Sequence, residues 1–395
     1  FRLRSLYAVL PGVAAIFDFA GSRVWPNTTS QSGVHIHDSN DSKRTMIIVV
    51  LALMPALLFG MYNIGYQRYL SIGQPPVFLT AFLYGFLALL PKIITSYAVG
   101  LGIEFASAQI RKHEIQEGFL VSGILIPMIC PIETPIWMIA VATAFSVIFV
   151  KEVFGGTGMN IFNVALMTRA FLFFAYPSKM SGDDVFVANH SICGLGNGTV
   201  VSSFSGATPL GQIAINAGNS LHLTGITGGD ISLWDMFLGL IPGSVGETST
   251  LFIILGGIVL LISGVASWRI MLSVFAGGLV MGFIAHSFPS ETYPGSMLNP
   301  VEQICLGGFA FAAVFMATDP VTAAHTNTGK YIYGFLVGVM AILIRVYNSG
   351  YPEGAMLAVL LMNAFAPLID YCVVESNIRR RLRRAKQSNN YEQAK

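Results

Sequence analysis

Along the chain, long apolar runs alternate with short polar links that carry most of the charge. A membrane-spanning helix needs about 20 mostly apolar residues. Ten runs qualify as spans, near 46–64, 78–110, 118–130, 135–150, 160–176, 249–267, 269–286, 304–318, 331–347 and 354–373. The pattern predicts an all-α polytopic membrane protein with about ten transmembrane helices. The second run is too long for one straight span, and Pro91 with Gly100 and Gly102 allows a kink, a broken entry or a split that would raise the count to eleven. The third and eighth runs are too short alone and end at Pro131 and Asp319-Pro320. Short, proline-ended segments in corresponding positions mark broken helices that meet near the membrane centre.

Composition sharpens this picture. Of 395 residues, 54% are hydrophobic and 11% charged, against about 25% charged in soluble proteins. So few charges cannot cover a water-soluble globule, which excludes a soluble enzyme, a disordered scaffold and, with a net charge of only +2, a nucleic-acid binder. The charges instead report topology. Lys43-Arg44 precede the first run, Arg111-Lys112-His113 follow the second, and Arg379-Arg380-Arg381, Arg383, Arg384 and Lys386 fill the tail. Ten spans put all three clusters on one face, which the positive-inside rule makes cytoplasmic, whereas eleven would divide them. The expected organisation is a cytoplasmic segment at 1–44, without a signal-peptide pattern, a first membrane half at 45–176, an outer loop at 177–248, a second half at 249–373 and a basic cytoplasmic tail at 374–395.

The two halves echo each other. At a constant offset of 194 residues Lys151 matches Arg345, Gly156 matches Gly350, and Leu166, Ala170 and Phe171 match Leu360, Ala364 and Phe365. Upstream the offset becomes 189, pairing Gly118 with Gly307 and Pro131 with Pro320. Because the repeated block starts on opposite sides of the membrane, the halves are expected to be two inverted five-helix repeats, with any site at their interface.

Several residues carry candidate chemistry. Ser205-Gly206-Ala207-Thr208 places a hydroxyl among tiny neighbours in the outer loop, open to esterification by a bulky group. Asn160 and Asn163 lie three apart, on one face of the fifth run after a Gly-rich break, and are open to a ligand role or to helix capping. Glu104, Asp319 and Asp370 are ionisable residues at membrane depth and functional candidates by default, as cation ligands or protonatable groups. Asp319 precedes a proline, so a turn role is equally open. Phe311 and Phe315, four apart beside Asp319, are core packing or an apolar constriction on an ion path. Cys130, Cys193, Cys305 and Cys372 form no C-x-x-C pair, and the histidines lack metal-ligand spacing, so no metal site is expected within the chain. Gly155-Gly156-Thr157-Gly158 does not match the dinucleotide fingerprint, and there is no P-loop or Ser/His/Asp arrangement.

The S-G-A-T loop between the fifth and sixth runs, Arg111-Lys112-His113-Glu114, the block Lys151 to Gly158, the block Arg169 to Pro177 and Phe315-Met316-Ala317-Thr318-Asp319-Pro320 together resemble one family. It is the B-subunit family of the sodium-translocating NADH:quinone oxidoreductase, related to the D subunit of the Rnf complex. The likeness runs from Lys43 to Arg384. It implies FMN esterified through its phosphate to Thr208 by a separate flavin transferase, riboflavin held without a covalent bond beside Asn160 and Asn163, and a quinone region at Gly100 and Glu104. Sodium coupling would give Asp319, Asp370, Phe311 and Phe315, singled out above on their own chemistry, the role of an ion path. Electrons would run from the covalent FMN through riboflavin to quinone, coupled to sodium translocation, in a six-subunit-type complex of the bacterial inner membrane. NADH would be oxidised on a partner subunit. The chain departs from the family pattern at Ser202, Ser203 and Phe204, where an acidic residue and a glycine are usual, and at Leu101, where a second glycine is usual.

Two other readings stay open at the level of sequence. One is an Rnf-type D subunit working between ferredoxin and NAD without a quinone site. The other is a transporter with no redox role, which the repeat and the scarce charges alone would allow.

Overall fold

The structure, a computed structural model, describes residues 42–393 apart from 112–117, 181, 183, 202–205, 216–222, 227, 291, 349 and 351–352. Most of the expected cytoplasmic segment 1–44, Lys112 and His113 of the second basic cluster, and Ser205 with the three residues before it therefore lie outside the described residues.

Backbone N–H and C=O groups in an apolar medium have no partner except one another, so each apolar run closes into helix. The first half comprises α1 (Ser42–Ser71), α2 (Phe78–Arg111), α3 (Phe119–Ile129), α4 (Ile136–Ser146, continued by a π-helical stretch Val147–Glu152) and α5 (Val164–Ala175). The outer loop contributes two short helices, α6 (Pro209–Ile215) and α7 (Leu233–Leu238). The second half contains α8 (Thr250–Ile262), α9 (Trp268–Ser287), the short α10 (Pro300–Cys305), α11 (Phe309–Phe311, continued by π-helical Ala312–Met316), α12 (Asn327–Tyr347) and α13 (Ala355–Gln393). Each half thus presents five apolar segments whose third member is broken.

The ten segments differ in reach. Among the described residues, α1, α2, α9, α12 and α13 are long and apolar enough to cross a bilayer alone, while α3, α5 and α8 are shorter apolar helices. Eleven to thirteen residues at 1.5 Å each give only about 16 to 20 Å, against a hydrocarbon core of about 30 Å. The alternative split of the second run, which would have given eleven spans, does not occur: α2 continues through Pro91, and the Thr95 hydroxyl donates to the Pro91 carbonyl at 2.8 Å. The basic tail is helical. α13 runs on through Arg379-Arg380-Arg381, helped by the Arg379–Glu375 pair one turn apart at 2.9 Å.

One apolar core passes through both halves, with Leu53, Leu89, Ile126, Ile139, Phe309, Ile342 and Val359 all buried. A smaller cluster of Leu210, Ile213, Met236, Ile241, Leu298 and Leu306 seats the outer loop on the second half. Phe174, Ile262, Leu272 and Phe283 point outward, an apolar exterior suited to lipid rather than water. Close helix crossings bind the layers together, as at α9 against α12, where a Cβ on Gly277 would lie 2.2 Å from the Phe335 carbonyl oxygen. Gly277→Val is expected to lower the midpoint of thermal unfolding in detergent, since overpacking costs on the order of 1–3 kcal/mol. An unchanged midpoint would mean that α9 and α12 do not approach this closely.

Candidate functional site

The breaks in α3 and α11 organise the centre of the molecule. After Ile129 the chain turns through Pro131, and the carbonyls left over are taken up individually. The Lys92 ammonium donates to the Pro131 oxygen at 2.8 Å and also to that of Ile132. Ser244 Oγ donates to Ile129 O at 3.2 Å, and Gly246 N–H donates to Met128 O at 2.9 Å. The corresponding turn of the second half uses an acid. Asp319 accepts from Val321 N–H at 3.1 Å, from Thr322 Oγ1 at 3.3 Å and, across the halves, from Asn163 Nδ2 at 3.0 Å.

A cavity opens beside that acidic turn, at the interface of the halves. Its polar rim is Ser122, Lys151, Thr157, Asn160, Asn163 and Asp319, and its walls include Val121, Leu125, Leu260 and Phe315. Apolar walls with a few convergent polar groups are the usual form of a small-molecule site. Asn160 and Asn163 do share this cavity, but they do not share a helical face. Gly155, Gly156 and Gly158 have φ of 120°, 98° and 90°, which turns the chain into a loop, so α5 begins only at Val164. Asn163 is its N-cap, accepting from Ala165 N–H at 3.0 Å, while Asn160 Nδ2 donates to Phe162 O at 2.9 Å. The capping role expected for Asn163 is present, and the same residue lines the cavity.

Glu104 and Gly100 lie behind the cavity rather than on it. The Lys151 ammonium is ion-paired with Glu104, and both side chains are buried. Lys151 also stands 6.0 Å from the centre of the Phe119 ring, which packs into the notch left by Gly100. A Cβ on Gly100 would meet that ring at 1.9 Å. The repeat is visible here: Arg345, the counterpart of Lys151, reaches the start of its own broken segment and donates to Leu306 O at 3.0 Å and Gly307 O at 3.2 Å.

Phe311 and Phe315 pack with ring centres 5.1 Å apart and planes tilted by 49°, Phe315 against the cavity and Phe311 in the core. Asp370 is placed elsewhere. It accepts from His325 N–H at 2.7 Å, Thr326 N–H at 3.0 Å and Thr326 Oγ1 at 2.5 Å, tying α13 to the N-cap of α12.

Thr208 forms a separate site. It is buried at the start of α6, where its Oγ1 accepts from Gly211 N–H at 3.0 Å and its own N–H donates to Gly182 O at 2.7 Å. Gln212 holds the loop by bonding Ala207 O, Thr224 O and Thr224 N–H. A Cβ on Gly182 would come within 2.9 Å of Thr208 Oγ1, so the cradle around this oxygen depends on small neighbours. A small pocket beside Thr208 is lined by Leu306, Gly307, Gly308, Glu247 and Glu353.

Glu247 and Glu353 share Arg169. The arginine, 1% exposed on α5, holds Glu247 at 2.5 Å and also pairs with Glu353 ahead of α13, joining the first half to the second. Sequence reading assigned no site role to Lys92, Lys151, Arg169, Glu247 or Glu353, although Lys151 and Arg169 stand in its repeat and motif blocks. The signal for Lys92 and Arg169 was available, since a basic residue inside an apolar run requires a buried partner.

The family model described as NQR2, RnfD, RnfE matches residues 29–379. The chain belongs to the NQR2, RnfD, RnfE family. Similar members of this family are each named as the B subunit of a Na(+)-translocating NADH-quinone reductase. That of Chromohalobacter salexigens is 41% identical over 404 aligned positions, covering 97% of this chain and 92% of the relative. That of Ectopseudomonas mendocina is 43% identical over 383, covering 91% of each chain. That of Klebsiella pneumoniae is 41% identical over 409, covering 96% of this chain and 95% of the relative.

Arg169→Met should destabilise the folded protein strongly, because removing one partner of a buried ionic group costs roughly 3–5 kcal/mol. Combining it with Glu247→Gln and Glu353→Gln should restore most of the loss. Thermal unfolding of the wild type, Arg169→Met and the triple variant checks this, and a triple variant no better than Arg169→Met would refute the pairing.

Proposed function

We propose that the chain is the membrane subunit of a sodium-translocating NADH:quinone oxidoreductase that carries two flavins and serves quinone reduction. The observation that carries the reading is the convergence of Asn160, Asn163 and Asp319, from opposite halves, on one apolar-walled cavity, in a chain whose relatives are named as the B subunit of that enzyme. Partners are the other subunits of a six-subunit-type complex in the inner membrane, together with a flavin transferase.

Each group meets residues that fit it. Thr208 supplies a hydroxyl oxygen in a cradle of small residues, suited to a phosphodiester with FMN. The cavity supplies amides and hydroxyls at its rim, which match the donor and acceptor edge of riboflavin, and apolar walls, which match its ring faces. When bound, flavins supply the electron-transfer chemistry. The chain's own residues orient them and exclude water. Asn163 is fixed by its cap bonds to α5, so its amide is held rigidly toward Asp319 and the cavity. Glu104, paired with Lys151, is the acid nearest the Gly100–Phe119 contact and is assigned to the quinone region. Asp319 and the Phe311–Phe315 pair form the inner end of the ion path for sodium. Asp370 is assigned to the same path through its hold on α12.

In cells containing the transferase, the denatured wild-type chain should fluoresce in a gel and Thr208→Val should be dark. Fluorescence in the variant would place the covalent flavin elsewhere. Asn163→Leu should abolish the non-covalent flavin recovered by acid extraction while leaving gel fluorescence intact. Glu104→Gln should slow quinone reduction by about tenfold or more, given that lost charge-assisted contacts are worth on the order of 1.5–3 kcal/mol. Wild-type turnover in that variant would remove Glu104 from the quinone site.

A further inference from the structure

Lys151 belongs to two environments at once. Its ammonium is bonded to Glu104 on α2, and the same side chain lines the cavity between the halves. Among the charged side chains lining that cavity, Lys151 is the cation and Asp319 the acid, and Asp319 is already engaged by Asn163, Val321 and Thr322. An ammonium carries three N–H donors. Glu104 Oε1 takes one, and the Phe119 ring faces the lysine from the other side. The second carboxylate oxygen, Glu104 Oε2, is buried without a hydrogen-bond partner among the described residues. A fully satisfied buried pair would be a fixed strut. This pair leaves capacity on both members, at the edge of a cavity.

We propose that Lys151 is a shared counter-ion, paired with Glu104 while the ring system in the cavity is neutral and turned toward that ring when reduction makes it negative. The proposal rests on the reading that the cavity holds a flavin. Two electrons, originating from NADH on a partner subunit, and one proton from water convert the neutral oxidised ring to a reduced ring bearing one negative charge. Both electrons and that proton pass to quinone, and a second proton from water completes the quinol. Lys151 stays protonated and forms no covalent bond. An ammonium a few ångströms from a charged ring in a low-dielectric site attracts it far more than it would in water, so Lys151 favours the reduced form. Glu104 competes for the same cation and favours the oxidised form. Phe119, seated in the Gly100 notch, stands with its ring centre 6.0 Å from the lysine ammonium.

The test is a spectroelectrochemical titration of the non-covalent flavin in the purified complex. Lys151→Gln should weaken binding of the reduced flavin at least tenfold relative to the oxidised flavin, which lowers the midpoint by about 30 mV for a two-electron couple. Lys151→Arg should keep most of the wild-type potential. Glu104→Gln, which frees the lysine, should move the midpoint upward, and this arm decides the matter alone if Lys151→Gln does not assemble. Wild-type midpoints in both neutral variants, shifts in the same direction, or equal loss of oxidised and reduced flavin in Lys151→Gln would overturn the proposal. Retention of the non-covalent flavin by Asn163→Leu overturns the flavin reading and this proposal with it. Loss of flavin there, with unmoved midpoints in the Lys151 and Glu104 variants, overturns this proposal only.

Discussion

A helix that stops inside a membrane leaves its last carbonyls where no water can reach them, and the centre of this protein is built around two such ends. The repeat places them in matching positions, at Pro131 and Pro320, but the two are satisfied by opposite means. At Pro131 the ammonium of Lys92, the hydroxyl of Ser244 and the amide of Gly246 take up the free carbonyls. At Pro320 the chain folds around the Asp319 carboxylate, and that carboxylate is shared with Asn163 from the other half. The first end is closed by a cation, while the second presents an acid to a cavity. A pseudo-symmetric frame has in this way produced a single asymmetric site.

Buried charge does the remaining joining. In a low-dielectric interior an unpaired arginine or lysine is costly, so each of these residues reaches a partner wherever the fold brings one near. Arg169 spans from α5 to carboxylates flanking α8 and α13, and Lys151 spans from α4 to α2. α5 is the mechanical link between the two candidate sites. Its first turn is capped by Asn163 at the cavity, and Arg169, about 9 Å further along the axis, holds Glu247 and Glu353 at the pocket of Thr208. Any group attached to Thr208 and any group in the cavity would therefore be held against the middle and the start of one short rigid element.

The amino-acid sequence by itself determined the architecture, because membrane helices leave a signal that needs no tertiary information. Ten apolar runs, charges clustered between them and two proline breaks were enough to place the segments, and the motif blocks were enough to reach the family. The same reading noticed Glu104, Asn160, Asn163, Thr208 and Asp319 one at a time. It gave Asn160 and Asn163 a common helical face that the loop through Gly155 and Gly158 does not allow, because glycines at positive φ delay the helix until Val164. Only the tertiary structure decided which of these residues meet: Asn163 with Asp319, Glu104 with Lys151, and Arg169 with two glutamates far away in the chain. The reason is physical. Hydropathy and helix breaks are local properties written into each segment, whereas the partner of a buried charge depends on how segments far apart in the chain cross one another.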